Sequence, residues 1–160
     1  MPDDQSFSLE EAQTEFAKRT NGEVWDYLEK ESRTADEDEA MLLAAYASYY
    51  HWSKVGTIVH RQRGEWMLSR VYTVLGQVEP ALRHAQRCLE LTETNVDDME
   101  VFDKGYAFEA MARSYALAGK KDQAKEYLDK AKAVADEIED EEDKNLFVGD
   151  LEGGEWYGIG

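Results

Sequence analysis

The sequence holds one cysteine, Cys88, so no internal disulfide can form and the fold must rest on packing alone. Proline is nearly absent, with Pro2 and Pro80 the only instances, and alternating β-branched runs are missing. Long helices are therefore unobstructed, and nothing in the pattern asks for a sheet. Positive charge is scarce: 18 Lys and Arg stand against 35 Asp and Glu, a formal net charge of −17. Such a field repels phosphate and works against broad nucleic-acid binding or docking on anionic membrane. No run of about 18 apolar residues occurs, so no helical membrane span is expected. The opening MPDDQSFSLEE is acidic and polar where a secretion signal needs a basic start and an apolar stretch, so a cytoplasmic location is expected.

What is abundant is Ala, Leu, Glu and Lys, the strongest helix formers, which points to an all-α chain of one domain over residues 1–152. Ser8 ahead of Leu9-Glu10-Glu11 reads as an N-cap with acids in the first turn. Leu9, Ala12, Phe16, Trp25 and Leu28 share one helical face. Asn21-Gly22 interrupts them, predicting either one helix with a weak middle or two short ones. After the polar ESRTADEDEA comes AMLLAAYASYYHW, ending before Gly56; residues 8–54 thus form a helix pair. A helix from Thr57 to Leu75 ends at Gly76. EPALRHAQRCLELTE follows, with Pro80 in its first turn, where a missing N–H costs little. Asn95 to Asp98 offers caps for a helix ending at Gly119, and KKDQAKEYLDKAKAVADEI is the next. Residues 140–152 suggest a closing helix, about the seventh. The segment 153–160, GGEWYGIG, reads as a flexible or peripherally docked tail, with a solvated terminus expected.

Two segments align on their turn glycines. One reads Leu68-Ser69-x2-Tyr72-x3-Gly76-x4-Ala81-x3-Ala85-x2-Cys88, the other Met111-Ala112-x2-Tyr115-x3-Gly119-x4-Ala124-x3-Leu128-x2-Ala131. Small residues let paired helices approach, tyrosines fill the wedge between hairpins, and the glycines allow a left-handed turn residue. Over residues 62–131 this pattern resembles the tetratricopeptide repeat. The resemblance implies antiparallel helical hairpins at 57–93 and 97–137, stacked as a short right-handed solenoid, with 8–54 a degenerate hairpin and 140–152 a cap. It also implies a protein that binds partners rather than an enzyme, with no cofactor. There are departures. The glycines lie 43 residues apart where the family period is 34, which predicts longer helices. Glu65 stands where a bulky residue is usual, and the terminal proline of the first repeat is missing.

Residues able to carry chemistry are few. His84 and Cys88, four apart on one helix, could offer two metal ligands. Cys88 fills the repeat's small core position, however, and no second ligand pair has suitable spacing, so it reads as a core residue and no metal is assigned. His51 and His60 sit among Tyr49, Tyr50 and Trp52, where packing outranks coordination. No phosphate-cradling glycine loop or G-x-S-x-G elbow exists, and the acidic run EDEED lacks a Gly-centred calcium loop. No catalytic residue is assigned.

Charge asymmetry is the sharper signal. Between Lys54 and Cys88 lie Lys54, Arg61, Arg63, Arg70, Arg83 and Arg87 against Glu65 and Glu79 alone. Carried over by motif position, the family's concave groove would receive Arg63, Trp66 and Arg70 from one repeat and Tyr106, Glu109 and Arg113 from the next. That set suits a protein or acidic peptide partner, since guanidinium forks grip carboxylates and aromatic rings add area at low entropic cost. On sequence grounds the same arginines could instead pair with the protein's own acids. An alternative is self-association as a homodimer, with the acidic tail and its Trp156, Tyr157 and Ile159 filling the groove of a second copy.

Overall fold

The structure, a computed structural model, describes residues 6–159. Among these residues there are seven α-helices and no strand. They are α1 (Leu9–Leu28), α2 (Ala35–Val55), α3 (Ile58–Val74), α4 (Val78–Thr94), α5 (Val101–Leu117), α6 (Lys121–Glu137) and α7 (Glu141–Glu152). Helices start where short polar side chains can take the orphan amides. Ser8 Oγ accepts from the Glu11 amide at 3.0 Å, and Thr34 and Glu37 form a reciprocal capping box. Asn21-Gly22 does not break α1. The flanking residues are good helix formers and α1 packs along α2, with buried Ser48 donating to the Ala17 carbonyl at 3.0 Å.

Consecutive helices pair as hairpins, α1 with α2, α3 with α4 and α5 with α6, while α3 also touches α5 and α5 touches α7. α2 also touches α3 and α4 touches α5, so the hairpins stack in chain order, and residues of the four odd-numbered helices border one common groove. The aligned glycines close equivalent turns: Gly76 and Gly119 have φ of 75° and 77°. The residue after each donates back to a repeat tyrosine, Gln77 to the Tyr72 carbonyl at 2.9 Å and Lys120 to the Tyr115 carbonyl at 3.0 Å. Small residues close the hairpins. Ala112, Ala116, Ala124 and Ala131 lie in one core, and Ser69 Oγ donates to the Ala81 carbonyl at 2.9 Å. A third cluster, of Ala85, Ala110 and Met111, joins the two repeats.

Two expectations are corrected, and one departure from the repeat pattern is explained. Asn95–Asp98 does not cap α5: Val96–Asp98 is a 3-10 turn, and α5 begins at Val101 behind Glu100, whose amide donates to Asp103 at 3.0 Å. Part of the length expected in longer helices is spent on this connection. Glu65, where the repeat pattern wants bulk, is 1 % exposed and bonded in the interior. Its carboxylate accepts from Tyr49 (2.9 Å) and His84 (2.6 Å), with Arg87 at 3.3 Å. Burial alone would raise its pKa, but those hydrogen bonds and the Arg87 charge outweigh burial and hold it below the usual carboxylate range. Finally, the tail is not solvated. Ile159 is buried, Trp156 Nε1 donates to the Leu151 carbonyl at 2.9 Å, and Tyr157 Oη donates to the Thr73 carbonyl at 3.3 Å. Its aromatic and branched residues bury against the same chain, which for them is more favourable than water.

Candidate functional site

Residues of α1, α3, α5 and α7 meet across a groove of about 400 Å³. Asn21 and Trp25 come from α1, Gln62, Arg63, Trp66 and Met67 from α3, Phe102, Asp103 and Tyr106 from α5, and Leu146 and Asp150 from α7. Trp25 stacks on Trp66 with ring centres 5.9 Å apart, and Tyr106 meets Trp66 edge-on at 5.4 Å. Four aromatic rings thus stand in its walls, yet Trp25 is 38 % and Leu146 64 % exposed, an apolar surface that none of the described residues covers.

The six residues expected on the concave face fall into three situations. Arg63, Trp66 and Tyr106 line the groove. Arg63 is half-exposed but already paired, its Nε and Nη2 reaching the two Asp103 oxygens at 2.9 and 3.2 Å while its guanidinium lies 5.3 Å from the Phe102 ring centre. Tyr106 donates to the Asp150 carboxylate. Burial first, and that bond second, push its phenol well above the ordinary value.

Glu109 and Arg113 are interior residues, each 2 % exposed. Glu109 accepts from Trp66 Nε1 at 2.8 Å and from Arg113 Nε at 3.0 Å. The rest of the Arg113 fork reaches main-chain oxygens, Glu155 at 3.1 Å, Asp150 at 2.8 Å and Gly153 at 2.8 Å, and its guanidinium stacks 4.0 Å from the Trp156 ring centre. For Arg113 the internal-pairing reading of the sequence is the observed one, because every donor of the fork faces a protein acceptor or ring.

Arg70 occupies the position in its repeat that Arg113 occupies in the next. The two guanidiniums are neighbours: a Cβ placed on Gly154 would lie 2.9 Å from Arg70 Nη2 and 3.0 Å from Arg113 Nη1. Arg70 nevertheless makes no hydrogen bond or ion pair with the described residues, while Arg63 and Arg113 make several. Burial, and then the Arg113 charge, lower its basicity. It borders a smaller cavity of about 130 Å³ lined also by Trp25, Trp66, Glu109, Gly149, Asp150, Gly153 and Gly154. Trp25, Trp66 and Asp150 wall both spaces, so the cavity adjoins the groove.

Trp25, Phe102, Leu146 and Asp150 complete a site that the repeat pattern alone did not reach. The available signal was positional. α1 and α7 flank the two matched hairpins, and their residues line the same groove. The histidines lie elsewhere. His84 hands Nδ1 to Glu65 and stacks on Tyr72 at 5.6 Å, and Cys88 is buried, which pushes its thiol well above the ordinary range. His60 stacks on Trp52 at 4.1 Å and accepts from the Thr57 amide as part of a helix cap. Among the described residues no group of three or more His, Cys, Asp or Glu is arranged to hold a metal ion, and no helix is long and apolar enough to cross a membrane. Comparison with protein-family models, with curated proteins and with solved structures gives no match.

Proposed function

We infer that the chain is a non-enzymatic binding module of tetratricopeptide type that takes a partner protein or peptide in its concave groove. The observation that carries this reading is the aromatic groove itself. A space of about 400 Å³ with exposed Trp25 and Leu146 at its rim is within the range of pockets that hold ligands. Trp and Tyr walls supply contact area with few rotatable bonds to immobilise, and a buried partner side chain would gain from every ring it touches. Arg63, half-exposed at the edge, can turn one face of its fork to an acidic group of the partner while keeping Asp103.

The test is affinity capture from the native organism followed by mass spectrometry, with the Trp25→Ala/Leu146→Asp double variant alongside. Both positions are exposed enough that the fold tolerates the change. Partners captured by the wild type and lost by the variant support the groove; an unchanged set of partners sinks it. Arg113 is unsuitable as a control, since its removal strips bonds from the interior. Self-association through 153–160 is the alternative. With the tail's Trp156 and Ile159 already seated on their own chain, it would need a segment exchange, which light scattering would register as a dimer mass.

A further inference from the structure

We propose that the cavity beside Arg70 is a carboxylate subsite, and that the groove together with this cavity takes a small organic acid: a flat apolar body between Trp25, Trp66 and Tyr106, with its carboxylate on the Arg70 fork. The inference rests on the concave groove being the binding face and names the chemistry that this face selects.

Four features carry it. First, Arg70 is a partly buried guanidinium on the cavity wall, with five N–H donors and no protein acceptor among the described residues. Its nitrogens reach solvent, so an arriving carboxylate would replace water on the fork with a charge-assisted pair. Second, the nearby acids make no hydrogen bond to it: Glu109 accepts from Trp66 and Arg113, and Asp150 accepts from Tyr106. Third, charge limits the ligand. Glu109 and Asp150 lie around the same space and offset part of the charge of Arg70 and Arg113, so a monoanion fits better than a dianionic phosphate. A planar carboxylate also matches the fork in two parallel bonds. Fourth, size limits it. The Gly153-Gly154 backbone borders the 130 Å³ cavity, and Gly154 lies directly against both guanidiniums. That is room for several waters, or for a carboxylate and its first carbons. The adjoining 400 Å³ aromatic groove holds the remainder of the molecule. Burial and the Arg113 charge, which weaken Arg70 as a base, act in the same direction, because both are eased when an anion arrives.

The test is calorimetric titration of the full chain with 3-phenylpropanoate, with its neutral amide 3-phenylpropanamide, and with an end-blocked peptide carrying a Phe-Glu pair. The acid is expected to bind at least tenfold more tightly than the amide, roughly the consequence of losing one charged partner of a hydrogen-bonded pair. Arg70→Gln is expected to bring the acid down to the amide's affinity, and Trp25→Ala to weaken acid and amide alike. The acid–amide comparison uses the unaltered protein, so a folding defect in a variant cannot imitate the result. Equal affinity for acid and amide overturns the carboxylate subsite and leaves the groove reading standing. No effect of Trp25→Ala on an acid that does bind overturns the groove as its seat. Tighter binding of the blocked peptide than of the free acid, or no binding of the acid at millimolar concentration, overturns the small-acid assignment, while the partner-capture experiment continues to judge the groove by itself.

Discussion

Arg113→Met removes the residue on which the C-terminal third of the groove is hung. The side chain is 2 % exposed, makes an ion pair with an equally buried Glu109, donates to three carbonyls of the segment 150–155 and stacks on Trp156. Met restores most of the volume but leaves the Glu109 carboxylate in the interior with Trp66 Nε1 as its remaining donor. Breaking a buried pair from one side costs about 3–5 kcal/mol. The carbonyls lie nearer the surface and recover water, so their loss adds less than a hydrogen bond each. The whole effect is therefore set near about 4 kcal/mol by the stranded carboxylate. At about 2–4 °C per kcal/mol for a chain of this size, the midpoint of thermal unfolding should fall by roughly 8–16 °C. Thermal unfolding followed by far-ultraviolet circular dichroism measures that shift, and urea unfolding followed by tryptophan fluorescence measures the free-energy cost. Adding Glu109→Gln removes the stranded charge, so the double variant should be more stable than Arg113→Met alone. A cost under about 1 kcal/mol, or a double variant whose losses simply add, would refute the account of this pair.

Two further predictions concern other parts of the stack. The Glu65 carboxyl titrates below its unfolded value, so its contribution to stability is complete above that value, near pH 4.5, and drains away as the pH falls through the lower folded value. Glu65→Gln should therefore flatten the acid limb of the stability curve between pH 5 and 3 relative to wild type, measured by urea midpoints across that range; parallel curves would show that another carboxylate governs the limb. Gly105→Ala places a Cβ 2.6 Å from Cζ of the fully buried Phe147, so α7 must shift on α5. A loss of about 1–3 kcal/mol is expected, relieved by a second change Phe147→Leu, and an Ala variant as stable as wild type would show that α7 is not seated on that glycine.

Much of the scaffold was legible in the sequence because it is written in local chemistry. Gly76 and Gly119 announce left-handed turn residues, Ser8 and Thr34 announce helix starts, and the spacing of small residues marks where helices touch. Legibility failed where a long-range contact decides. Nothing near Gly153 in the chain tells that Arg113 waits to bind its carbonyl, so the tail reads as flexible or peripherally docked, with a solvated terminus expected. Likewise Arg63, Arg70 and Arg113 look alike by composition, and repeat position makes Arg70 and Arg113 equivalent. Their fates separate only because α7 follows the second repeat and brings main-chain acceptors to Arg113, while Asp103 sits opposite Arg63. Trp25 was visible as an apolar residue of α1, but its role as a groove wall depends on Trp66 meeting it across 5.9 Å.

The way α7 is fastened has a consequence for how this protein can vary. Arg113 grips the cap chiefly through peptide oxygens, and a peptide oxygen is offered by every amino acid. Side chains at 152 and 155 can therefore drift with little effect on how the cap is held, provided the chain keeps its path. What cannot drift is the backbone freedom at Gly154, with φ of 74° and its bare α-carbon pressed against both guanidiniums. A second chain built on this plan would be recognised there less by which acids it carries than by a buried arginine on the last hairpin and a glycine that lets the main chain come to it.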